Sequence, residues 1–115
     1  MNEQEQEKHM AAAKAAGFDV RYIPEQPYGF CGGWYKFASD ATHKTKTLWR
    51  PETDKADSFD LMVACGIVVT RCGESVIAES AWAPEVLHVE EGYDGEAYMK
   101  VVFYGAVKIG RSMEP

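Results

Sequence analysis

The stretch Leu48–Ile67, reading LWRPETDKADSFDLMVACGI, constrains the fold of this chain more than any other. Pro51 holds Arg50 in extended geometry, so the chain arrives as a strand or loop and turns helical only afterwards. Thr53 or Asp54 supplies an N-cap oxygen, and Glu52, Asp54 and Asp57 place negative charge at the positive end of the helix dipole. Phe59, Met62, Val63 and Gly66 recur at helical spacing, which predicts an inward face there. Gly66 is placed to stop the helix in a left-handed conformation, and the β-branched run Ile67–Thr70 then reads as a strand. Trp49, just before the proline, is expected to anchor the helix start by packing into the core.

At 115 residues, with 46% hydrophobic and 12% aromatic content, residues 1–115 suit one domain with a single core. From Glu3 to Ala16 strong helix formers lead to Gly17, and a first helix is expected there. Phe18–Ile23 alternates as a half-buried strand, and Pro24–Gly29 breaks it. Phe30–Ser39 reads as a turn at Gly32-Gly33 and then a strand. Asp40–Thr47 is polar, an exposed loop or edge strand. Residues 67–71 and 75–79 flank Cys72-Gly73-Glu74 as a hairpin, Val86–Val89 is a further strand, and Gly92–Gly95 is a turn that can cap the last segment. Val101–Tyr104 has strand propensity. The stripe Lys100, Tyr104, Lys108 and Arg111 opposite Ala97, Val101, Val102, Ala106 and Ile109 favours a helix over 96–111 instead. The expected class is α+β, about three helices packed on a mostly antiparallel sheet of four to six short strands.

The order Trp-x-Pro, polar turn, Asp, amphipathic helix, Gly-Ile, carried by Trp49, Pro51, Asp54, Phe59, Leu61, Val63, Gly66 and Ile67, resembles small uncharacterised proteins of tailed phages and prophages. These are the phage ABA sandwich domain family and the similar NinX-like proteins. Ala106–Arg111 resembles their C-terminal helix. Arg50 stands where that pattern has asparagine. The resemblance implies a phage or prophage setting and implies no activity.

Charge narrows the partners. The net charge is −6, and residues 58–115 hold nine acids against four bases. That balance argues against a general nucleic-acid binder and suits solubility or a basic protein partner. No apolar run approaches the roughly 18 to 20 residues of a membrane span, and the acidic start is unlike a secretory signal. Cys31, Cys65 and Cys72 form an odd set with no paired spacing, which suits free thiols in a reducing cytoplasm, which the resemblance implies is that of a bacterial host; Cys65 and Cys72 are expected to be buried.

No residue set spells out a reaction. The three cysteines with His9, His43 and His88 show no zinc-ligand spacing, and structural thiols with surface imidazoles are the simpler reading. Gly32-Gly33 lacks the Gly-Lys-Ser/Thr ending of a phosphate loop. Asp57/Asp60 and Glu90/Glu91 are ordinary solvated or capping carboxylates. No catalytic residue, cofactor or metal is therefore expected, and the chain reads as a binder rather than an enzyme. Tyr28, Phe30, Cys31 and Trp34 around the glycine pair form the candidate partner surface. Two other readings stay open. One is a pocket between sheet and helices holding Cys31, His43 or His88; the other is nucleic-acid binding through Lys44, Lys46 and Arg50.

Overall fold

The computed structural model describes residues 3–25, 32–39, 44–82 and 85–113. Three helices, α1 (Glu3–Ala16), α2 (Lys55–Cys65) and α3 (Gly95–Ser112), are joined by six strands: β1 (Asp19–Ile23), β2 (Gly33–Ser39), β3 (Lys44–Leu48), β4 (Ile67–Cys72), β5 (Ser75–Ser80) and β6 (Val86–Glu91). The α+β class is as expected. The strands divide into two antiparallel sheets, ordered β1-β2-β3 and β4-β5-β6, where the sequence suggests one sheet. The reason is the helix between them in sequence: α2 separates β3 from β4, and no strand bridges the two groups among the described residues.

The helices lie between the sheets. α3 packs on all three strands of the second sheet, α1 packs against α3 and α2, and the first sheet meets α1 through β1 and through Trp34 of β2. The molecule is accordingly elongated, 47 × 29 × 26 Å.

The start and stop of α2 match their local chemistry. The Asp54 carboxylate accepts from Asp57 N at 3.0 Å, and the Asp57 carboxylate in turn accepts from Arg50 N at 2.9 Å. Cap and lead-in are thereby locked to each other. Gly66 closes the helix at φ 66°, ψ 42°, its N–H bonding back to the carbonyls of Met62 and Val63, a conformation that costs glycine little and a branched side chain much. Asp94 caps α3 in the same way, accepting from Ala97 N at 2.9 Å, and the ambiguous C-terminal segment is helical from Gly95 to Ser112.

The inward face of α2 is not the one expected. Ser58, Leu61 and Cys65 are buried, while Phe59 is 60% and Val63 61% exposed; Met62 is partly buried at the boundary. The helix is rotated so that Ser58, Leu61 and Cys65 face inward while Phe59 and Val63 point outward. Cys72 also departs from expectation, since it is exposed at the end of β4.

Truncation separates the two phases of α2. Leu61→Ala is expected to lower unfolding stability by about 2–5 kcal/mol, and Phe59→Ala to stay within roughly 0.5 kcal/mol. Asp54→Ala should cost about 1 kcal/mol through the lost cap. Urea titrations of the three variants check all of these values.

Candidate functional site

Two features stand out once the fold is in place: an aromatic box closed around His9, and the outward face of α2.

His9 lies on α1 one turn after Glu5. It is only 6% exposed, in contrast to the surface imidazole that its polarity suggests. Its ring stacks flat on Trp34 from β2, with centroids 5.0 Å apart and planes 2° from parallel. Trp49 meets it edge-on at 6.1 Å, and Phe103 of α3 approaches at 5.0 Å. The period-two alternation of β2 turns Trp34 toward α1, and Trp49 N donates to the Trp34 carbonyl at 2.8 Å, so both indoles converge on one helix position. Trp49 is 1% exposed, and its indole N–H has no hydrogen-bond partner among the described residues; packing holds the ring. The anchor role expected for Trp49 is the observed one.

Polar contacts orient the imidazole. Nδ1 lies 2.8 Å from the Glu5 backbone carbonyl, and Nε2 lies 3.2 Å from Glu52 Oε1 in the turn after Pro51. Among the described residues, Glu5, His9 and Glu52 are the one set of three histidine, cysteine or acidic side chains whose ligand atoms all fall within 4.8 Å of one another.

Of the expected partner surface, Trp34 is 5% exposed and belongs to the core, which removes it from any docking face. Tyr28, Phe30 and Cys31 lie outside the described residues, as does His43. Cys65 and Cys72 remain apart from the His9 cluster. Burial pushes the Cys65 thiol up to about 11, so it stays protonated and poorly nucleophilic at neutral pH. His88 bonds Glu90 through Nε2 at 2.9 Å and rests against the Tyr104 ring. Asp57 is occupied at the start of α2 and Asp60 is exposed beyond it. Lys46 sits on the edge strand β3, 5.2 Å from the centre of the Tyr35 ring.

The second feature arises from the rotation of α2. Phe59 and Met62 edge a surface groove of about 230 Å³ between α2, α3 and β4, whose other walls include Lys55, Val69, Tyr98 and Met99. It carries no histidine or cysteine among its described lining residues, and that lining is almost wholly apolar. A small apolar cleft with one lysine can grip an apolar side chain; it offers no set of groups for proton transfer or nucleophilic attack.

Comparison with family models, with curated proteins and with solved structures gives no match.

Neither feature is legible as a site in the sequence. The spacing Glu5-x-x-x-His9 places both side chains on one side of α1, and His9, Ala12 and Ala13 form a short buried stripe. The third member, Glu52, comes from a distant turn.

Thiol labelling checks the assignment of the cysteines. In a Cys31→Ser protein, Ellman's reagent is expected to titrate one thiol quickly, that of Cys72, and to reach Cys65 only after denaturant is added. Two fast thiols in the folded protein would contradict a buried Cys65.

Proposed function

We propose that the protein works by binding and not by turnover, as a small accessory protein of phage or prophage origin whose partner is a host or phage protein in the bacterial cytoplasm. Inhibition of a host process or defence is the specific form we favour. The observation that carries this reading is the exposure of Phe59 and Val63 on α2, at 60% and 61%. Large apolar side chains grouped outward beside an apolar groove are what a partner-binding surface requires, and isolated ones elsewhere are unremarkable.

The charge of the surroundings favours a basic partner. Asp60 follows Phe59 in the chain and Glu96 opens α3 beside the groove-lining Gly95; both are exposed. With nine acids against four bases over residues 58–115, the field on this half steers a lysine- or arginine-rich protein surface toward it, while contact with the apolar groove supplies the hold. The phage setting rests on the resemblance carried by Trp49, Pro51, Asp54 and Gly66.

The test is capture from bacterial lysate at low and high salt, with the parent protein and with a Phe59→Asp/Val63→Asp variant whose fold is checked by circular dichroism. A protein held by the parent, lost by the variant and bound again from purified components is the expected result. Capture of nothing at any salt, or capture unchanged by the double substitution, would contradict the proposal.

A further inference from the structure

Hydrogen positions constrain what the His9 cluster can hold. A backbone carbonyl only accepts, so the contact between Nδ1 and the Glu5 carbonyl at 2.8 Å requires the imidazole proton on Nδ1. In that neutral tautomer Nε2 presents its lone pair, and it faces Glu52 Oε1 at 3.2 Å, itself an acceptor. Two acceptors at this distance repel unless something positive lies between them. A proton would serve, and so would a metal cation.

Three further observations favour the metal. An Nδ1–H bonded to a main-chain carbonyl is the usual outer-shell arrangement of a metal-ligating histidine, fixing the ring so that Nε2 points at the ion. The separation of 3.2 Å between Nε2 and Glu52 Oε1 is close to the edge of a tetrahedron with bonds of about 2.0–2.1 Å, roughly 3.3 Å. A third donor, the Glu5 carboxylate, falls within the same 4.8 Å set, one helical turn from His9. Two carboxylates and a neutral imidazole carry two negative charges, which the Lys8 ammonium, 3.6 Å from Glu5 Oε1, offsets only in part.

We infer that Glu5, His9 and Glu52 form a binding site for a divalent cation of the zinc class, with water completing the shell. One nitrogen and two oxygen donors suit zinc better than magnesium or calcium, which prefer oxygen alone. The buried ring, walled by Trp34, Trp49 and Phe103, fixes one ligand, while Glu5 and Glu52 are only partly buried and leave the ion a path from solvent. Bound there, the cation clips α1 to the turn that launches α2. The site is independent of the α2 face proposed to bind a partner.

The test uses the full chain without an affinity tag, in a Cys31→Ser/Cys72→Ser background that leaves only the buried thiol of Cys65. Calorimetric titration with zinc chloride is expected to show one ion per chain and a raised thermal midpoint. Glu52→Gln and Glu5→Gln, both on partly exposed side chains that tolerate change, should each weaken binding by at least about 10- to 100-fold. Cobalt(II) should shift the indole NMR signals of Trp34 and Trp49 in the parent and leave them in place in Glu52→Gln. No uptake of zinc by the folded protein, or uptake unaffected by Glu52→Gln, would overturn the inference and leave a proton between His9 and Glu52.

Discussion

The close approach of α3 to its neighbours on two sides is the constraint on which the rest of the structure depends. At Gly110 the backbone of α3 lies against the backbone of α1 so closely that a Cβ would land on the Ala11 carbonyl. At Gly105 the contact on the other side is close but looser, a Cβ there meeting Ala78 Cβ at 3.2 Å and Ile67 Cδ1 at 3.5 Å. Glycine inside a helix is unfavourable by about 1 kcal/mol against alanine, and α3 carries both of these. The compensation is dense packing of Val101, Val102, Phe103, Ala106 and Val107, all buried, against the alanines of α1 and the inner row of the second sheet. Close-packed interiors gain many small dispersion contacts that a gap would forfeit.

That contact sets the position of the His9 box. With α1 drawn onto α3, His9 is carried against Phe103, and the first sheet is tied to the molecule by laying Trp34 against the same ring. Trp49, at the end of β3, closes the box and passes directly into the Arg50–Asp54 turn that starts α2. One imidazole thus joins α1, α3, β2 and the α2 lead-in. The pair formed by Arg111 and Glu7 fastens the far end of α3 to α1 on the surface. Arg111 holds the Glu7 carboxyl below its ordinary value. That contribution is present above the unfolded carboxyl range and fades as pH falls through the folded value; both side chains are about half exposed, so screening keeps it small.

Local chemistry is legible in the sequence and long-range placement is not. Asp54, Gly66 and Asp94 act within a few residues of themselves, and the caps they form are the ones expected. The rotation of α2 escapes a reading of its pattern because its apolar residues cover more than one face. Phe59 and Val63 are larger than Ser58 and Cys65, but space beside α3 and β4 decides which set is buried, and that space is set elsewhere in the chain. His9 has no local signal of burial strong enough to compete with its polarity, since its partners Trp34, Glu52 and Phe103 lie far away in sequence. By sequence Trp34 fits either a partner surface or the core, and the distant His9 decides for the core. Division of the strands into two sheets depends on where α2 lodges, which its own residues do not state.

Replacement of Gly110 by alanine tests the central contact most directly, because helix propensity and packing demand opposite signs. Propensity alone would stabilise the protein by about 1 kcal/mol, whereas the contact with Ala11 requires α1 and α3 to separate. Equilibrium unfolding in urea is expected to show Gly110→Ala clearly less stable than the parent, with weaker near-ultraviolet dichroism from Trp34 and Trp49. A variant as stable as the parent, or more so, would show that α1 and α3 do not meet backbone to backbone and would contradict the packing on which the His9 box depends.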